Sequence, residues 1–409
     1  MTYTEIFQEI VSIMKDDSAT CKDFGAGDYQ EFQSKISNDM ERMEFLHVVK
    51  EYLATFGLEG HLNFSDETLG SIGLSVMRHD DELYVTKANP DTGLVPGDRI
   101  IAVDSTSITA IAQKESRFLM EDSVERQGVL WPDVLAFYQK VTVLHQDNTI
   151  EDVSIIHDSK GENKAGYFFK EYQDNTIYLR LSDFVDLNAI NQLYTDCKNA
   201  LDNCNRLIID VRGNGGGADS AFVPLLEYCF PEGKEITDYY KPEYPIEINY
   251  SMRNCKDRIQ LLKKMFGDDL PEDMAPMLNK MVADNTENMG KGFIESEDEF
   301  VDGIIGRANP EKVFIITDER CASSGDAFVE VMSFSPKVTV VGRPTMGITD
   351  YSNCSVVRFD DFSLIYPTSR DKRIDGGKGL AHKGVPVDKY IAWSPESIYK
   401  DVELDYCLE

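Results

Sequence analysis

The stretch Val313-Phe-Ile-Ile-Thr-Asp-Glu-Arg-Cys-Ala-Ser-Ser-Gly-Asp-Ala-Phe-Val-Glu-Val-Met332 leaves its chain little freedom in how to run. It opens with an apolar, β-branched run, the pattern of a buried parallel strand. It closes with Phe328, Val329, Val331 and Met332 spaced as on an amphipathic helix. A strand that becomes a helix within a few residues must turn tightly, and this turn holds Ser323, Ser324 and Gly325. A serine there raises its hydroxyl over the end of a sheet, beside the N–H groups that a helix start leaves unbonded. Serine is also a common helix cap, and Asp326 would favour the helix dipole in that role. The segment alone allows both readings.

Leu207-Ile-Ile-Asp-Val-Arg-Gly-Asn-Gly-Gly-Gly217 repeats the pattern: an apolar β run stops abruptly, here in four glycines within five residues. That density permits positive φ and lets main-chain N–H groups turn toward a bound group. No Gly-Lys-Ser/Thr follows and no dinucleotide-type acidic residue is placed to match, so a phosphate loop is disfavoured. Further β runs at Thr176–Leu181 and Val338–Val341 alternate with helical stretches, which predicts a mainly parallel sheet with crossover helices.

In order and spacing, Asp210-x-Arg212-x-Asn214-x-Gly216-Gly217, Ser323-Ser-Gly-Asp326 and Val340-Val-Gly-Arg-Pro-Thr-Met-Gly347 resemble the motifs of the C-terminal processing (tail-specific) and tricorn-core serine peptidases. Gly93-Leu-Val-Pro-Gly-Asp-Arg-Ile-Ile-Ala-Val-Asp104, with Ile72-Gly-Leu-Ser-Val76 before it, is similar to their PDZ domain. The resemblance covers roughly residues 45 to 395. It implies an α/β, or α+β multidomain, fold with a crotonase-like ββα peptidase core. The expected division is an N-terminal helical region at 1–66, a PDZ-like domain at 67–157 and a peptidase core at 158–409. Residues 231–307 read as a charged, helical insertion in that core.

Carried over by motif, the resemblance puts the nucleophile on Ser323 and the oxyanion-hole N–H groups on Ser324 and Gly216. A serine hydroxyl needs a base to take its proton. The tail-specific branch uses a lysine just after the Pro-Thr-x-Gly turn, where this chain has Ile348. The tricorn-like branch uses a histidine before the PDZ domain, and Leu58-Glu-Gly-His-Leu62 puts His61 there. The glutamate that would orient this histidine falls on Ala381, which leaves Asp350, Asp375 and His382 as candidate orienting residues. Ile72, Gly73 and Leu74 would line the peptide-binding loop of the PDZ-like module, where an extended peptide adds as a strand.

Composition narrows the partners. A net charge of −31 and a pI near 4.5 disfavour nucleic acid and anionic membranes. No apolar run reaches the roughly 18 residues of a spanning helix. The first residues carry no signal-peptide pattern, so a cytoplasmic location is expected. Eight cysteines form no C-x-x-C pair and no metal-like spacing, which reads as free, mostly buried thiols; Cys321 is an alternative nucleophile two residues before Ser323. The expectation is a serine-type endopeptidase without cofactor or metal, acting on peptide or protein substrates, with a homo-oligomer allowed. The alternative is a catalytically inactive peptide- or small-ligand-binding protein on the same fold.

Overall fold

In the computed structural model, residues 1–121, 123–159, 166–266, 275–296 and 302–409 are described. The chain divides into two compact units. One comprises Met1–Thr68, Pro242–Asp298 and Asp350–Gly379; the other comprises Leu69–Lys241, Glu299–Thr349 and Leu380–Glu409.

In the first unit the helix Tyr3–Asp16 starts at a capping box, with Thr2 and Glu5 each accepting the other's backbone N–H. It buries Ile6, Phe7, Ile10, Ile13 and Met14, the face that a 3.6-residue period brings together. The helix Arg42–Ala54 buries Phe45, Val49 and Tyr52, and Tyr3 stacks on Phe45 at 4.2 Å. An antiparallel sheet joins distant parts of the chain: Asn63–Asp66, Phe362–Asp371, Ile246–Tyr250 and Gly292–Ser296 in that order, with Tyr351–Phe359 also on Phe362–Asp371. The segment expected as a helical insertion therefore contributes two strands besides its helices Met252–Phe266 and Ala275–Glu287. The alternating Ile246-Glu-Ile-Asn-Tyr250 is the two-residue period that marks such a strand. The N-terminal region likewise ends in a strand, and shares its unit with residues far along the chain.

The second unit holds two sheets. The larger runs Lys389–Tyr390, Val338–Gly342, Lys312–Thr317, Arg206–Asp210, Thr176–Leu181 and Tyr167–Tyr172. All its pairings are parallel except the last. Leu207, Ile209, Val313 and Ile315 face one core, with Phe328, Val329 and Met332 of the helix Ser324–Ser333. Ile208, Phe314 and Ile316 face the other, with Cys407 of the helix Val402–Leu408. Continuous apolar runs are what a sheet covered on both faces requires.

The smaller sheet is antiparallel, ordered Leu74–His79, Glu82–Ala88, Arg99–Val103, Lys140–Leu144 and Ile150–Ser154, and its core includes Val76, Ile100 and a fully buried Trp131. It occupies the stretch where a PDZ-like module is expected. The whole is a mixed α/β multidomain fold. Among the described residues, no helix is long and apolar enough to cross a membrane.

Candidate active site

Two neighbouring parallel strands, Arg206–Asp210 and Lys312–Thr317, end at one level because Asp210 pairs with Ile316. The chain leaves each strand into a loop, and hydrogen bonds lace the two loops together. Gly213 N–H donates to Asp318 Oδ1 at 2.7 Å, and Ala322 N–H to the Asn214 carbonyl at 2.8 Å. Ser324 Oγ donates to the Gly217 carbonyl at 2.9 Å.

Ser323 stands at the head of the helix Ser324–Ser333 with φ +56° and ψ −121°. A side chain at positive φ stores about 1–3 kcal/mol of strain and persists only where its surroundings hold it. The holding group is Asp326. Its carboxylate is fully buried and accepts the N–H of Ser323 at 2.7 Å, of Gly347 at 2.7 Å and of Ile348 at 3.1 Å. Burial pushes Asp326 up to about 6, opposed by these donors and the Thr345 hydroxyl. Asp326 thus ties the backbone of Ser323 to the turn at Gly347 and Ile348.

The glycine loop lies against Ser323. A Cβ built on Gly216 would stand 2.7 Å from Ser323 Cβ and 3.0 Å from the Ser324 nitrogen, and Gly216 has φ +94°. Gly216→Ala is accordingly expected to destabilise the fold by about 3 kcal/mol or more through clash and strain. Thermal or urea unfolding checks this, and a change under about 1 kcal/mol would mean that the loop yields easily. The Gly216 N–H donates to Asn214 Oδ1 at 2.9 Å, so it could reach an oxyanion only by sharing or leaving that acceptor.

Beneath the loop, fully buried Asp210 accepts from Tyr178, Arg180 and Arg212, which hold its carboxyl below the ordinary range despite burial. Arg212 continues to Asp401, near the chain's end. The Asp-x-Arg pair of the motif is therefore structural ballast for the loop. Cys321 is fully buried, and its thiol is pushed well above its ordinary value, mainly by desolvation. Such a thiol is a poor nucleophile.

His61 belongs to the first unit. Its Nδ1 lies 2.6 Å from the main-chain carbonyl oxygen of Tyr351, and the main-chain N–H of His61 donates to the Glu59 carbonyl. Of the three candidate orienting residues, Asp375 accepts from Arg370 at 2.7 Å. Asp350 is buried, with Arg373 at 3.7 Å. His382 lies in the second unit, and its Nδ1 is 3.2 Å from Glu121 Oε1. The Tyr351 carbonyl is a partner that residue-type reasoning missed, because every residue carries a carbonyl.

In the smaller sheet, the Gly73 N–H donates to Ser71 Oγ at 3.0 Å, and a Cβ on Gly73 would meet Ser159 Oγ at 2.1 Å. The open edge of the strand Leu74–His79 offers the Val76 carbonyl, which accepts from Arg320 at 3.0 Å; the same guanidinium reaches the Gly128 carbonyl at 3.1 Å. A peptide added there would have to displace Ser159 and Arg320. Chains with a free C-terminus and the same chains amidated are therefore expected to bind with affinities within about threefold, under 1 kcal/mol. A tenfold preference for the free acid would instead assign Ile72, Gly73 and Leu74 to substrate.

A serine held at positive φ at the head of a helix, beside a glycine loop at the ends of parallel strands, is built like the nucleophile seats of α/β hydrolytic enzymes. The sequence profile of peptidase family S41 matches residues 175–391, 217 of 409 residues, and the chain belongs to this family. Among solved structures it is similar to mature CPAF complexed with lactacystin, at TM-score 0.66 and 10% identity, over 99% of this chain and 96% of that one. The photosystem II D1 C-terminal processing protease matches at TM-score 0.47 and 14% identity, over 97% and 94%. No curated protein sequence matches the chain.

Proposed function

We propose that the protein is a serine-type endopeptidase acting on unstructured peptides or protein tails. The observation that carries this reading is the strained backbone of Ser323, held by Asp326 against the glycine loop. Ser323 Oγ attacks the peptide carbonyl while His61 takes its proton. The oxyanion is held by the N–H of Ser324 and, once released from Asn214, of Gly216. His61 then protonates the leaving amine, and water, activated by the same ring, hydrolyses the acyl-enzyme. Ile348 rules out the lysine variant at its usual position. PDZ-like and crotonase-like identities for the smaller sheet and the peptidase core belong to this proposal and rest on the sequence motifs.

One observation favours the second reading, a ligand-binding protein without catalysis: the Gly216 N–H is satisfied inside its own loop. A fluorophosphonate probe on the purified protein decides between them. Labelling mapped to Ser323 supports the peptidase, and a folded protein that stays unlabelled supports the binder.

A further inference from the structure

We propose that the main-chain carbonyl of Tyr351 is the orienting group of His61, in place of the carboxylate that Ala381 leaves out. The proposal rests on the role given to His61 above. A carbonyl oxygen only accepts, so the ring nitrogen 2.6 Å from it carries the proton. The neutral ring then keeps its lone pair at Nε2, the nitrogen from which a base acts.

A carbonyl orients only if it cannot move, and Tyr351 is pinned at both ends. Its main chain opens the strand Tyr351–Phe359, where it pairs with Arg370. Its phenol donates to Asp23 Oδ2 at 2.7 Å. Asp23 is gripped in turn by Arg370 through Nε and Nη2, each at 2.9 Å. The Arg370 side chain is fully buried and also bonds Glu247 and Asp375. Asp375 thus belongs to the brace behind the carbonyl. The His61 end is tied to the same strand, since the Cys354 thiol donates to the His61 carbonyl at 3.7 Å. Tyr351, Asp23 and Arg370 are positioning residues, acting on the ring through one carbonyl. A carbonyl fixes the tautomer as a carboxylate would, but brings no full negative charge to the imidazolium.

The test reads the tautomer directly, in full-length protein carrying 15N-histidine. Long-range 1H–15N spectra distinguish Nδ1–H from Nε2–H, and His61 among six histidines is assigned by the signals that His61→Gln removes. The expected result is an Nδ1–H neutral ring, unchanged in Asp350→Asn and Asp375→Asn. An α-hydroxy acid at position 352 turns the 351–352 amide into an ester and weakens the carbonyl as acceptor, which should shift population toward Nε2–H. Tyr351→Phe should keep the tautomer and lower kcat several-fold at unchanged KM. An Nε2–H ring in the wild type, a tautomer switch in Asp350→Asn, or an ester without effect would each overturn the proposal. The spectra need no turnover, so a failed fluorophosphonate labelling would reject the peptidase reading without deciding this one.

Discussion

Ser323→Ala is expected to lower kcat/KM on an unstructured peptide by about 10,000-fold or more, and His61→Ala by a similar factor. Nucleophile and base act as one unit, so the double variant should be no worse than either alone. Fluorophosphonate labelling should vanish in Ser323→Ala. Cys321→Ser should label normally, since its thiol is buried and hard to ionise. Ser324→Ala keeps the N–H offered to the oxyanion and loses only the bond to the Gly217 carbonyl, so a loss within about tenfold is expected. Unchanged turnover in His61→Ala would move the base elsewhere, with Lys378 the first residue to try.

Asp326→Asn is expected to separate activity from stability. The folded pKa of Asp326 stands at about 6, above the ordinary 3.8. The folded chain therefore holds this proton more tightly than the unfolded one. The corresponding stability is full below the ordinary value and lost as pH rises through about 6, at most about 3 kcal/mol. An asparagine removes the buried charge but turns an N–H of its amide toward the donors of Ser323 and Ile348, at about 1–3 kcal/mol for each bond lost. These effects oppose each other, and the net destabilisation at pH 7 should fall between about −1 and 3 kcal/mol. The labelling rate of Ser323 should nevertheless fall at least about 100-fold, because its positive-φ conformation hangs on that carboxylate. Wild-type protein brought below pH 6 should lose labelling in the same direction. A variant that labels at the wild-type rate would reduce Asp326 to a helix-start residue.

Much of this could be read from residue types and periods. Val313–Ile316 and Leu207–Ile209 are unbroken apolar runs, and a parallel strand covered on both faces suits that pattern. The glycines at 213–217 and the serine pair at 323–324 could be read because a tight loop and a strand-to-helix turn need those residue types. Ile246–Tyr250 was hidden, being a five-residue alternation inside a charged stretch, and its partners Gly292–Ser296 and Phe362–Asp371 lie far away along the chain. Strand pairing over such separations depends on where distant segments come to rest, which no local pattern carries.

The same division runs through the candidate site. By itself the sequence determined the family, the strand-to-helix seat of Ser323 and the absence of lysine at 348 and of glutamate at 381, because each depends on which side chain stands where. Only the tertiary structure decided that Asp326 holds Ser323 at positive φ, that Asn214 occupies the Gly216 N–H, and that a carbonyl faces His61 Nδ1. Those contacts run through main-chain N–H and C=O groups, which every residue but proline presents alike, so their meaning appears only once folding has chosen their partners.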